Sequence, residues 1–199
     1  MLQEHHMFWT AGASKAQGWG SDFAEVLLGS TFRVTVAGLT PERLEGGDGV
    51  DVLISLAGDN TLDGGANSDI LLGGRGADVL IGSAGRDALW GGPDADLFRF
   101  AAEDAAQPKA DVVVDFSQAD GDRIDLSAFR DVDPWVPGEQ GFDFVGDVTG
   151  LIRPAVYTPG EVTFVHTGDS TLVTANVDGG VLHIQVAGRF DLVVDDFLF

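Results

Sequence analysis

The chain is 199 residues long, enough for one ordinary domain or two small ones, and carries 32 Asp and Glu against 11 Lys and Arg, a formal charge of −21. That charge excludes nucleic acid and anionic membrane surfaces as partners, since both attract positive surface, and the absence of Cys excludes disulfides and thiol chemistry. With 44% hydrophobic residues the chain can bury a core, which separates it from acidic disordered chains.

Met1 to Trp9 has neither a basic region nor an apolar one of the kind that makes a signal peptide, and no later stretch approaches the roughly 18 apolar residues of a membrane span. Residues 1–19 place Phe8, Trp9 and Trp19 around an Ala/Gly/Ser stretch, which is read as a short helix covering the repeat structure downstream. From Gly20 the segments GSDFAEVLL, GSTFRVTVA and GLTPERLE each begin with Gly and keep an apolar residue at or near the eighth position. These are expected to be degenerate, metal-free coils, so that residues 1–45 cap one end of that repeat structure.

Six gapless nine-residue units then run from Gly46 to Arg99: GGDGVDVLI, SLAGDNTLD, GGANSDILL, GGRGADVLI, GSAGRDALW and GGPDADLFR. Their eighth slot holds Leu53, Leu62, Leu71, Leu80, Leu89 and Phe98, so one face is expected to be buried at every turn. Their sixth slot holds Asp51, Asn60, Asp69, Asp78, Asp87 and Asp96, an oxygen ligand two residues before each buried anchor. Their fourth slot holds Gly49, Gly58, Asn67, Gly76, Gly85 and Asp94, the residue types that best tolerate positive φ, so a left-handed bend should recur every nine residues.

Each unit reads as a six-residue turn and a three-residue strand, two units making one coil of a parallel roll. Residues 18 apart then stack: Asp51, Asp69 and Asp87 on one edge, Asn60, Asp78 and Asp96 on the other. Carboxylates stacked about 4.8 Å apart repel strongly and need a cation between them. The repeats hold nine Asp, no Glu and three Arg, too few side-chain cations for both edges. Hard oxygen ligands, carbonyls exposed at glycine turns, and no His or Cys nearby favour Ca²⁺ over zinc or copper, and flexible turns favour it over Mg²⁺. One ion between successive members of each column gives about four, the site at Asn60 being the weakest.

These units resemble the RTX calcium-binding β-roll family, whose pattern G-G-x-G-x-D-x-U-x is met in full by GGDGVDVLI and GGRGADVLI. The resemblance implies an all-β fold, a right-handed parallel β-roll followed by a C-terminal antiparallel region. It implies Ca²⁺ ligands among the first six slots: Gly47, Asp48, Gly49 and Asp51; Gly58 and Asn60; Gly65, Asn67 and Asp69; Gly74, Gly76 and Asp78; Gly85 and Asp87; Gly92, Asp94 and Asp96. The departures are Ser55-Leu56 in place of Gly-Gly, Asn60 in place of Asp, and Asn67 and Asp94 in place of Gly. They leave the second unit doubtful as a full ligand donor. By alternation Ile54, Ile70, Leu72, Val79, Ile81 and Trp90 face outward, and another segment is expected to pack on them.

Past Arg99, DVVVDFSQADGDRIDLSAF from Asp111 to Phe129 resembles the segment that follows the roll in serralysin-type secreted metalloproteases and in calcium-binding modules of alginate epimerases. Its acids Asp111, Asp115, Asp120, Asp122 and Asp125 either extend the metal-binding surface or, as the commoner case, are solvated turn acids. Residues 100–199 are expected to form a sandwich-like β region, with a hairpin turning at Asp178-Gly179. Asp196-Phe197-Leu198-Phe199 resembles the secretion signal of type I export substrates.

No H-E-x-x-H, G-x-S-x-G or P-loop is present, His5 and His6 are adjacent, and His166 and His183 lie singly in expected strands. The reading is therefore a non-enzymatic, secreted calcium-binding module that leaves through a type I secretion apparatus and folds on external Ca²⁺. The alternatives are a non-catalytic part of a secreted metalloprotease or polysaccharide-modifying enzyme, and a module that binds extracellular polysaccharide or a cell surface.

Overall fold

The computed structural model describes residues 24–27, 32–39, 41–105, 110–129, 142–149, 160–177 and 180–199. The helix expected within residues 1–19 and the turn expected at Asp178-Gly179 lie outside them.

The repeat region supplies β1 (Ala24–Leu27), β2 (Phe32–Val36), β3 (Arg43–Asp48), β4 (Val50–Ile54), β5 (Thr61–Ala66), β6 (Ile70–Leu72), β7 (Val79–Ala84), β8 (Ala88–Trp90) and β9 (Leu97–Arg99). A single helical turn, Ala102–Ala105, separates them from β10 (Asp111–Val113), β11 (Arg123–Asp125), β12 (Asp143–Asp147), β13 (Glu161–Thr167), β14 (Ser170–Val177), β15 (Gly180–Ala187) and β16 (Phe197–Leu198). A 3-10 turn at Val194–Asp196 leads into the last strand. The chain is all-β, a parallel solenoid with antiparallel strands after it, as the repeats predict.

Successive units feed alternate sheets, because each left-handed bend sends the chain to the opposite side. One sheet runs β1-β2-β4-β6-β8-β10-β15-β14-β13-β12 and the other β16-β11-β9-β7-β5-β3. Within the roll the pairs are parallel and offset by one 18-residue coil: Leu53 faces Leu71 and Leu71 faces Leu89, while Leu62 faces Leu80 and Leu80 faces Phe98. The eighth-slot side chains thereby stack into two inward rows, all of them 0% exposed. Burying each such side chain contributes roughly 1.5 to 3 kcal/mol, which makes these rows the main source of stability in the roll.

The rows continue beyond the repeats. Leu89 pairs with Val113 and Val113 with Val186; Phe98 pairs with Ile124 and Ile124 with Phe197. At the other end Leu44 stacks below Leu62 and Thr35 below Leu53, and β1 runs antiparallel to β2. The later strands β13, β14 and β15 form an antiparallel meander, joined to the roll through the parallel β10–β15 pair. Of the outward apolar positions Ile70 is the most open, at 39% exposed, and the other five are half-buried.

Candidate metal centre

The turns are built by backbone conformation. All six fourth-slot residues have positive φ, including Asn67 at 78° and Asp94 at 85°, and so do Gly47, Gly65, Gly74 and Gly92 in the second slot. The penalty that excludes most side chains from this region is smallest for Gly, Asn and Asp, which is why the fourth slot holds only these types.

Folding each turn this way drives its sixth-slot acid inward. Asp51, Asp69, Asp78, Asp87 and Asp96 are each no more than 2% exposed, and Asn60 is 1% exposed. From Asp69 and Asp78 onward one carboxylate oxygen, Oδ1, accepts the backbone N–H of its column neighbour one coil earlier. Asp51 N–H donates to Asp69 at 2.7 Å, Asp69 N–H to Asp87 at 2.7 Å, Asn60 N–H to Asp78 at 2.7 Å and Asp78 N–H to Asp96 at 2.8 Å. The second oxygen, Oδ2, of Asp69, Asp78, Asp87 and Asp96 is buried with no hydrogen-bond donor in reach. A buried carboxylate oxygen in that condition costs several kcal/mol unless it is protonated or meets a cation.

The first-slot glycines show what the oxygen faces. A Cβ placed on Gly73 would lie 2.6 Å from Asp78 Oδ2 and 2.7 Å from the Gly91 carbonyl of the next coil. On Gly64 it would lie 2.7 Å from Asp69 Oδ2 and 2.9 Å from the Gly82 carbonyl. On Gly46 the same pair of groups recurs, Asp51 Oδ2 and the Gly64 carbonyl. Each glycine therefore leaves a small cradle where an aspartate oxygen and a carbonyl oxygen converge. Among the described residues no three Asp, Glu or His side chains converge on one point, so an ion here has to draw on turn carbonyls.

Electrostatics agree with this geometry. Burial pushes the carboxyl groups of Asp87 and Asp96 up to about 8 and that of Asp69 up to about 7, with neighbouring column acids adding to the rise and the backbone N–H bonds opposing it. Asp78 is raised to about 6, again by burial first. These residues fit a divalent cation: they are hard oxygen donors, buried, mutually repelling and short of one partner each.

Four steps were expected from the 18-residue spacing, and three carry this cradle: Asp51 to Asp69, Asp69 to Asp87 and Asp78 to Asp96. The step from Asn60 to Asp78 differs. Asn60 Nδ2 donates to Ser55 Oγ at 2.6 Å, to the Gly58 carbonyl at 2.6 Å and to the Ala57 carbonyl at 3.2 Å, while its Oδ1 accepts the Glu42 N–H at 2.7 Å. The Glu42 donor fixes which end of the amide is oxygen. Ser55 puts a side chain where the other units have a cradle glycine, and the amide nitrogen holds the turn oxygens that an ion would otherwise hold.

Of the remaining candidate residues, Asp48 is exposed at the rim and lies in neither column, and Asp94, also exposed, accepts the Gly76 N–H at 3.2 Å. Asn67 is exposed, with its carbonyl against Gly85. Two acids outside the candidate set continue the columns. Asp111 accepts the Asp87 N–H at 2.8 Å and Asp122 the Asp96 N–H at 2.9 Å; they are 4% and 2% exposed. The commoner expectation for the acids after the repeats, solvated turn carboxylates, describes Asp120 but not these two, nor Asp125, which is 0% exposed and bonded to Arg99 at 2.7 Å. The column spacing lengthens there from 18 residues to 24 and 26, so no nonapeptide pattern points to them. The hydrophobic rows offered the one available signal, since DVVVDF and DRIDL each set an Asp two residues before an interior residue, Val113 and Ile124.

Compared with known proteins, residues 45–80 and 72–102 match the model of the RTX calcium-binding nonapeptide repeat. No curated protein matches the chain. Among solved structures, the solution structure of the AlgE6R2 subunit of the Azotobacter vinelandii mannuronan C5-epimerase is 24% identical, covering 82% of this chain and 91% of that one with a TM-score of 0.42. The AlgE6R3 subunit of the same epimerase is 24% identical, covering 87% and 81%, with a TM-score of 0.46.

Proposed function

We propose, from the premise that residues 45–102 are RTX calcium-binding nonapeptide repeats, that this chain is a secreted module whose folding is driven by external Ca²⁺ and that has no catalytic centre of its own. The observation that carries the reading is the row of buried Oδ2 atoms at Asp69, Asp78, Asp87 and Asp96, each without a donor and each turned onto the first-slot glycine of its own turn. Asp51, Asp69 and Asp78 would hold one ion each, together with carbonyls of their own turn and of the next coil. The ion supplies the positive charge that lets two facing coils carry buried carboxylates.

Ions that bind only the folded chain stabilise it by RT ln(1 + [L]/Kd) per site. For sites of the extracellular class, with Kd of about 10⁻⁴ to 10⁻³ M, cytosolic Ca²⁺ contributes almost nothing. At about ten times Kd each ion contributes roughly 1.4 kcal/mol, so three contribute about 4 kcal/mol, comparable with the whole stability of a marginal domain. A chain held unfolded inside the cell and folded outside suits export through a type I apparatus, and the resemblance of Asp196-Phe197-Leu198-Phe199 to such signals supports that route.

The test is a calcium titration of the full chain followed by circular dichroism. The expected result is a largely unstructured chain in chelator that acquires β structure cooperatively in millimolar Ca²⁺. A native spectrum in chelator at neutral pH would overturn the calcium switch.

A further inference from the structure

We infer that two exposed acids, Asp59 and Asp94, are positioning residues for the ion at Asp78 and make it the most tightly held of the three, without touching it themselves. This rests on the calcium reading of the repeats and deepens it, since both residues sit on the outer rim of the roll and neither belongs to a column of buried acids.

The turn Gly76-Ala77-Asp78 is gripped from both sides. Gly76 N–H donates to Asp94 Oδ2 of the next coil at 3.2 Å, Ala77 N–H to Asp59 Oδ1 of the previous coil at 2.9 Å, and Asp78 N–H to Asp96 Oδ1 of the next coil at 2.8 Å. In a trans peptide the C=O points opposite to the N–H. By drawing the Ala77 N–H toward the previous coil, Asp59 therefore turns the Gly76 carbonyl toward the next one, into the step between Asp78 and Asp96. The Asp51 and Asp69 turns have no such clasp. The residues one coil before their fifth slots are Phe32 and Val50, whose side chains accept no hydrogen bond.

The second observation comes from the turn that an amide closes. Asn60 Nδ2 donates to the Gly58 carbonyl at 2.6 Å, so the sixth-slot side chain addresses the fourth-slot carbonyl of its own turn. At Asp78 the matching atom is Oδ2, an oxygen that no donor reaches, on a residue 1% exposed. That oxygen and the Gly76 carbonyl repel each other unless a cation joins them. Holding the Gly76 carbonyl in place before the ion arrives reduces the ordering cost of binding. The two rim acids also act through charge. Burial is the first cause of the rise in the Asp78 carboxyl, and Asp59 and Asp94 add repulsion to it. The field that opposes a negative charge at Asp78 favours a divalent cation beside it.

The experiment takes crystals of the full chain grown in Ca²⁺ and soaks them in buffers of stepwise lower free Ca²⁺, with anomalous peak heights giving the occupancy at each turn in wild type, D59A and D59N. The lattice holds the coils together, so ions can leave one at a time. In wild type the peak at Asp78 should be the last to fade. D59A should lower the affinity there about tenfold, the usual effect of losing one hydrogen bond to a charged group, while the peaks at Asp51 and Asp69 fade as in wild type. D59N keeps an acceptor for the Ala77 N–H and should recover most of the loss, which a general loosening of the fold would not allow. An Asp78 peak that is not the last to leave wild type, a D59A pattern equal to wild type or weakened alike at all three turns, or a D59N that behaves as D59A would overturn this inference and leave the repeat reading standing. Absence of every peak in saturating Ca²⁺ would overturn the repeat reading itself. Should D59A fail to fold, the order of loss in wild type decides.

Discussion

Asn60 and the aspartates of its column differ by an NH₂ in place of one oxygen, and that difference decides whether a turn asks for an ion. The amide nitrogen reaches Ser55 Oγ and two turn carbonyls, and Ser55 occupies the cradle. The double substitution S55G/N60D is therefore expected to add one ion to the native mass-spectrometric count and to make folding demand more Ca²⁺, while an unchanged count would show that this step is closed for another reason. Acidity acts on the same atoms. The carboxyls of Asp87 and Asp96 sit near 8 in the metal-free fold against an ordinary 3.8, through burial first and like charge second. The folded chain then binds protons more tightly than the unfolded one, so the stability they lend is complete below about pH 4 and is lost as pH rises through about 8. In chelator, ellipticity should increase on acidification from pH 8 toward pH 4, and in Ca²⁺ the apparent affinity should fall over the same interval because protons compete for Oδ2. A chelated chain whose spectrum does not change with pH would contradict this assignment. The Asp51, Asp69 and Asp87 column was legible because its spacing is constant. Asp111 and Asp122 were not, since the spacing lengthens as soon as the repeat ends and only the buried rows keep the phase.

Short strands gain their place from their neighbours, and β16 shows this most directly. Two residues long, it lies parallel to β11, with Phe197 against Ile124 at the end of the row that begins at Leu44. Phe197 is 5% exposed and packs on Phe144 and Phe199 at ring-centroid distances of 5.3 and 5.7 Å. Asp196 anchors the approach by accepting from the Val193 N–H and from Gln118 Nε2 at 2.7 Å each. F197A is expected to cost about 3 to 5 kcal/mol, the usual penalty for removing a buried phenylalanine, read as a lower thermal midpoint in saturating Ca²⁺. A shift of under a degree would mean that β16 is not part of the cooperative fold. The strands of the meander could be anticipated from alternation, as in STLVTANV and GVLHIQVA, whose antiparallel partners are side by side in sequence. The parallel β10–β15 pair that joins this meander to the roll could not, because it brings together Asp111 and Ile184 and no local pattern encodes so distant a register.

Across the whole molecule, packing and metal binding share one linear geometry. Each coil touches only the coils beside it, so the hydrophobic rows, the aspartate relay and the ion cradles all pass from neighbour to neighbour. Folding and binding are then a single event for the chain, and a defect in a side chain that holds no ion should raise the calcium that folding requires. Leu71 tests this: it is 0% exposed in the middle of its row, between Leu53 and Leu89, and carries no oxygen ligand in its side chain. L71A should destabilise the roll by about 3 kcal/mol. Shared among three coupled ions, that is roughly 1 kcal/mol per ion, which raises the Ca²⁺ midpoint of folding about fivefold without changing the number of ions bound. If the midpoint stayed put while the thermal stability of the loaded chain fell, the ions would be binding to coils already formed, and the repeats would be calcium sites on a fold that stands without them.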